Sequence, residues 1–176
     1  MLIPLFKKIS ILESKYLQLP LLYALSFSIP FFVQGPQLLV GSLINFLLIL
    51  SISEYKFKEI IPVLILPSLS VYLHGLLFTG ATNFLLYLIP FIAISNALYV
   101  LVFKYIKTDY LNIYCATFFK TVFLFTCTYV LFRTIGLPQA FLSAMGIMQF
   151  VTGITGGIIA VVLTKRISSA QNTSYK

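Results

Sequence analysis

Acidic residues are scarce in this sequence. Twelve lysines and arginines stand against four carboxylates, Glu13, Glu54, Glu59 and Asp109, and charged residues of both signs make up only 9% of 176. An average soluble domain carries about 25%, so a water-soluble surface for a chain of this size is excluded. There is one histidine, His74, and there are two cysteines, Cys115 and Cys127, so no cluster with metal-ligand spacing exists. The two cysteines lie on one predicted helix, about 18 Å apart along its axis, too far to bridge each other. Tryptophan is absent, leaving tyrosine and phenylalanine to occupy the membrane interfaces. The sequence has no phosphate-binding loop, so the chain has no ATPase of its own. It has no carboxylate inside an apolar run, which disfavours ion-coupled transport on the usual Asp/Glu pattern. With no paired acids and no metal cluster, it is read as a non-enzyme without metal or cofactor.

What the sequence has is apolar length. Hydrophobic residues make up 60% of it, and the mean hydropathy is +1.02. Its apolar runs approach or exceed the roughly 18–20 residues that cross a bilayer core as helix, and they are continuous rather than alternating, unlike barrel strands. The expected fold is an all-α integral membrane protein, one domain over 1–176. Six transmembrane helices are predicted in one bundle, at about 17–33, 37–53, 60–78, 84–103, 112–132 and 140–164. Residues 1–15 mix basic and apolar positions and suit an interfacial helix. Residues 168–176 are polar and are expected to form a disordered tail.

Basic residues set the orientation. With the N-terminus inside, Lys7, Lys8, Lys15, Lys56, Lys58, Lys104, Lys107, Lys165, Arg166 and Lys176 all fall on the cytoplasmic side. Arg133 alone falls outside, and Lys120 lies within the membrane. This asymmetry predicts both termini in the cytoplasm. The net charge of +8 then reflects helix ends and anionic lipid rather than nucleic acid.

Lys120 is the residue most in need of explanation. It sits in the run Cys-Ala-Thr-Phe-Phe-Lys-Thr-Val-Phe-Leu-Phe, and a charge at membrane depth costs at least about 2.5–3.5 kcal/mol. Three uses are open to it: reaching the inner interface, binding a ligand, or meeting a helix C-terminus. Asn45, Asn96 and Gln149 fall near the same depth when the helices are built at about 1.5 Å per residue. Gln37, His74, Tyr87 and Arg133 fall nearer the outer face. The candidate substrate-binding set is therefore Asn45, His74, Asn96, Lys120, Gln149, Gln37, Arg133 and Tyr87, opening outward. Each has an alternative use, in interhelical packing for the amides and at the interface for Tyr87 and Arg133. Gly153 and Gly157, with Gly156 alongside, form a small-residue motif that permits close helix packing. Ala24 and Ser28 make a similar stripe on the first helix. No inverted repeat with broken helices is legible.

The helix number and orientation, the Ala24–Ser28 stripe and the outward-opening polar set together resemble the substrate-binding S components of energy-coupling factor transporters. In that family the first helix carries an Ala-xxx-Ala stripe that docks a transmembrane coupling subunit. Here serine takes the second place. The resemblance implies capture of a vitamin-like or other small polar molecule at the cell membrane. It also implies a coupling subunit and two cytoplasmic ATPase subunits as partners. Lys120, Arg133 and His74 would favour an anionic group on the substrate, and phenylalanine and tyrosine rings could stack a flat one. The competing expectation is a non-catalytic, multi-pass scaffold of an envelope-assembly complex.

Overall fold

A computed structural model describes residues 15–33, 35–75, 82–108 and 110–173. The expected interfacial helix over 1–15 lies outside these residues except for Lys15. The described residues form seven helices and no strand: α1 Lys15–Phe32, α2 Gln37–Glu54, α3 Ile61–His74, α4 Thr82–Tyr105, α5 Leu111–Ile135, α6 Ala140–Met145 and α7 Ile147–Thr173. Four spans are long and apolar enough to cross a membrane: Gln37–Glu54, Asn83–Tyr105, Leu111–Ile135 and Ala140–Arg166. This is the pattern of a multi-pass membrane protein. Leu17–Phe32 and Ile61–His74 are apolar but shorter.

Three differences from the sequence reading have local causes. The third helix, expected to reach residue 78, stops at His74, because Gly75 takes the left-handed conformation (φ 73°) and its N–H bonds back to the Val71 carbonyl at 3.1 Å. The helix expected over 140–164 is broken at Gly146, whose φ and ψ are −101° and −104°. A β-carbon on Gly146 would meet the Leu142 carbonyl oxygen at 2.8 Å and the Phe125 ring at 2.9 Å, so the break seats α6 closely on α5. The tail expected to be disordered from 168 is helical as far as Thr173. Serine, alanine and glutamine there do not interrupt the backbone ladder set up by the apolar turns before them.

The helices close into a ring in the order α1, α2, α7, α5, α4, α3 and back to α1, with α2 also reaching inward to α3 and α4. The α2–α7 and α4–α5 pairs make the most extensive contacts. The first is close because small residues face one another. A β-carbon on Gly156 would lie 2.7 Å from the Phe46 backbone nitrogen and 2.8 Å from Asn45 Cβ, and one on Gly41 would lie 2.8 Å from Thr152 Cγ2. Gly153 and Gly157 face other neighbours within the chain, against Thr117 and Ile113 of α5. The expected packing motif therefore wedges α7 between α2 and α5.

The bundle has two unlike ends. One carries the 55–60 loop, residues 106–108 and 110, and most of the described basic residues; we call it the basic end. There Leu48, Ile49, Ile52, Ile60, Val63, Tyr99, Val100 and Ala116 form a dense buried core. Tyr23 hydroxyl donates to the Glu59 carbonyl and ties α1 to this end. The other end carries a smaller buried cluster of Leu85, Leu88, Leu124, Leu137, Phe141 and Met145.

Candidate functional site

Between these two cores lies a polar layer built on Lys120. The buried positions of α5 are Ile113, Ala116, Thr117, Lys120, Leu124 and Thr128. They recur at three- and four-residue spacing, so one helical stripe faces the bundle and carries Lys120 with it. The lysine is 2% exposed. Its Nζ donates to Asn45 Oδ1 on α2 at 2.6 Å and lies 5.0 Å from the centre of the Tyr99 ring on α4. It therefore neither reaches an interface nor meets a helix end. The Tyr99 contact is of the cation–π kind, worth about 2 kcal/mol when desolvated. Tyr99 is itself fixed by its hydroxyl, which donates to the Gly153 carbonyl at 2.7 Å.

Asn45 makes three side-chain hydrogen bonds. Its Nδ2 donates to the Gly41 carbonyl at 2.9 Å and to Thr152 Oγ1 at 3.2 Å, while its Oδ1 accepts from Lys120. Both amide hydrogens and one lone pair are used. Asn45 thus orients Lys120 and locks α2, α5 and α7 together. Asn96 lies on another wall, where its Nδ2 donates to the Leu64 carbonyl at 2.9 Å. Three residues further along α3, Pro67 supplies no N–H to the helix ladder, so this stretch of α3 backbone gains a tie to α4 where its own ladder is interrupted.

These residues border a cavity of about 110 Å³ in the half of the bundle away from the basic end. Its polar lining is Gln37, Asn45, Ser68, Asn96, Lys120 and Gln149. Its apolar lining includes Val40, Ile44, Val71, Leu85, Ile92 and Met145, together with Pro30, Gly41 and Pro67. Gln37 Nε2 donates to the Ala144 carbonyl at 3.1 Å and so joins the start of α2 to the α6–α7 break.

No protein-family model, curated protein or solved structure matches this chain.

Five of the eight expected substrate-binding residues thus share one cavity: Gln37, Asn45, Asn96, Lys120 and Gln149. The other three stand apart from it. His74 packs edge-on against the Phe31 ring, with centroids 5.0 Å apart. Tyr87 is 57% exposed and Arg133 is exposed at the end of α5. Ala24 is exposed on α1 and Ser28 is half-buried. Two residues outside the sequence-derived set are central to the geometry, Tyr99 and Thr152. Helical spacing carries a signal for both, since each follows a named amide, Asn96 or Gln149, by three residues.

Away from the cavity, Tyr55 at the basic end is 8% exposed and contacts Gln18, its hydroxyl donating to Oε1 at 3.3 Å. Burial raises its phenol above the usual tyrosine range, and the carboxylates of Glu54 and Glu59 add to the effect.

Proposed function

We propose that this chain is the membrane-embedded substrate-capture subunit of an ATP-driven importer of the energy-coupling factor type. In this reading six helices cross the cell membrane, the shorter α1 and α3 included, with both termini cytoplasmic. The basic end then faces the cytoplasm and the cavity lies in the outer half. The protein binds a small polar molecule there without chemistry of its own. Transport depends on a coupling subunit docked at Ala24 and Ser28, and on two cytoplasmic ATPases.

The observation that carries this reading is the convergence of Gln37, Asn45, Asn96, Lys120 and Gln149, from the four long helices α2, α4, α5 and α7, on one cavity placed away from the basic loops. A cluster used for packing alone fills its space with side chains. This one borders empty volume, and its apolar walls with a few convergent polar groups are the ordinary make-up of a ligand pocket. The volume lies below the roughly 300–1,000 Å³ of drug-sized sites, which favours a compact substrate over a large vitamin.

Copurification tests the importer reading. Tagged protein is expected to bring down ATPase subunits, and the double substitution Ala24→Leu and Ser28→Leu is expected to abolish this. Association with envelope-synthesis proteins alone contradicts it.

A further inference from the structure

The chemical class of the cavity's ligand can be read from what the walls offer and what they lack. Lys120 is the cation bordering the cavity, and its acceptor is the neutral amide oxygen of Asn45. Among the described residues no carboxylate lines the cavity; Glu54 and Glu59 belong to the basic end. A buried ammonium held by a neutral partner is poorly compensated, and ionisable groups inside membranes commonly line substrate or ion pathways. Both amide hydrogens of Asn45 are already used. Groups with capacity to spare include the remaining N–H bonds of Lys120, the second Nδ2 hydrogen and the Oδ1 of Asn96, the second Nε2 hydrogen of Gln37, and the side chain of Gln149, for which the described residues provide no hydrogen-bond partner.

The remaining walls restrict the body of the ligand. They are Val40, Ile44, Val71, Leu85, Ile92 and Met145. Among the described residues no phenylalanine or tyrosine lines the cavity, although the sequence contains 17 and 11 of them. Flat rings are ordinarily held on aromatic faces, and the Tyr99 ring lies against Lys120 rather than in the cavity lining. The stacking of a flat ring expected from composition is therefore not what these walls provide.

We infer that the cavity takes a compact organic anion with an aliphatic body, its negative group at Lys120 Nζ and its carbon chain against the α2, α3 and α4 side chains. This rests on the reading of the cavity as a ligand site.

The test uses the full chain purified in mild detergent at neutral pH. Probes are 3-methylbutanoate, its uncharged amide 3-methylbutanamide, and benzoate, with binding followed by thermal unfolding. The expected result is that 3-methylbutanoate binds at least about tenfold more tightly than the amide, and that this preference disappears in Lys120→Gln. Equal or tighter binding of the amide overturns the anionic class, as does failure of both to bind. Tighter binding of benzoate overturns the aliphatic body. The wild-type acid–amide comparison decides the charge even if the variant does not fold. Copurification of ATPase subunits is measured separately, so an importer with a neutral substrate and an anion-binding protein that is not an importer give different pairs of results.

Discussion

The two halves of the bundle are made from similar residues and put to opposite uses. Toward the basic end, aliphatic side chains from α2, α3, α4, α5 and α7 fill the interior, with Leu48, Ile60, Val63, Val100 and Ala116 inaccessible to solvent. Toward the other end the packing opens. Pro30 and Pro67 border the cavity, and the α6–α7 helix breaks at Gly146. The Lys120–Asn45 layer separates the two. The filled half acts as a platform. It holds Tyr99 under the lysine and leaves the polar face of the layer turned toward the cavity. The deep ammonium meets Asn45 Oδ1 and the Tyr99 ring and also borders the cavity.

That contrast can be broken at several points, and the largest effect is expected at the layer itself. Asn45→Leu leaves Lys120 without its acceptor. A buried charged donor left without its acceptor costs more than the about 1–3 kcal/mol of a neutral group, read as a fall in unfolding temperature or in mild-denaturant resistance. Asn45→Leu combined with Lys120→Leu is expected to be more stable than Asn45→Leu alone, since no orphan charge remains. The reverse order would mean that the two residues act independently.

Within the filled half, Leu48→Ala is expected to cost about 2–5 kcal/mol, the usual range for a large-to-small change in a close-packed core. In the open half, Val40→Leu adds a methylene at the cavity wall. It is expected to change stability by less than about 1.5 kcal/mol, as for tolerated apolar swaps, while weakening binding of 3-methylbutanoate. A large destabilisation by Val40→Leu would show that the cavity half is packed as tightly as the other.

Gly156→Ala lies between these cases. The new methyl group would meet the α2 backbone at Phe46, and backbone cannot rotate away as a side chain can. A loss of about 1–3 kcal/mol is expected, with unfolding as the measurement. The smallest effect belongs to Arg133→Gln. An exposed cation at the end of α5 is expected to change stability by no more than about 0.5 kcal/mol and to leave binding of 3-methylbutanoate unaltered.

Much of this contrast was legible in the sequence. The run around Lys120 announced a charge at depth, and helix rise alone placed Asn45, Asn96 and Gln149 near the same depth. Tyr99 and Thr152, which complete the layer's ring contact and hydrogen bonds, were outside the sequence-derived set, although each follows a named amide by three residues. His74, Tyr87 and Arg133 shared the right half of the bundle with the cavity but not its faces. Depth follows from counting residues, whereas facing depends on how each helix is rotated against its neighbours. The break at Gly146 was hidden for a related reason. Glycine is tolerated inside helices, and only the approach of Phe125 and the Leu142 carbonyl distinguishes this one. The cavity itself has no signature in the sequence, because empty volume is a property of several helices together.

The proposal that Lys120 anchors a captured ligand is tested most directly by mass spectrometry of small molecules released from detergent-purified protein, comparing wild type with Lys120→Gln of matched size-exclusion profile. A ligand site at Lys120 predicts a compact anionic molecule released from the wild type in near-stoichiometric amount and lost from the variant. Release of the same molecule in the same amount from both, or of nothing from either, would contradict it.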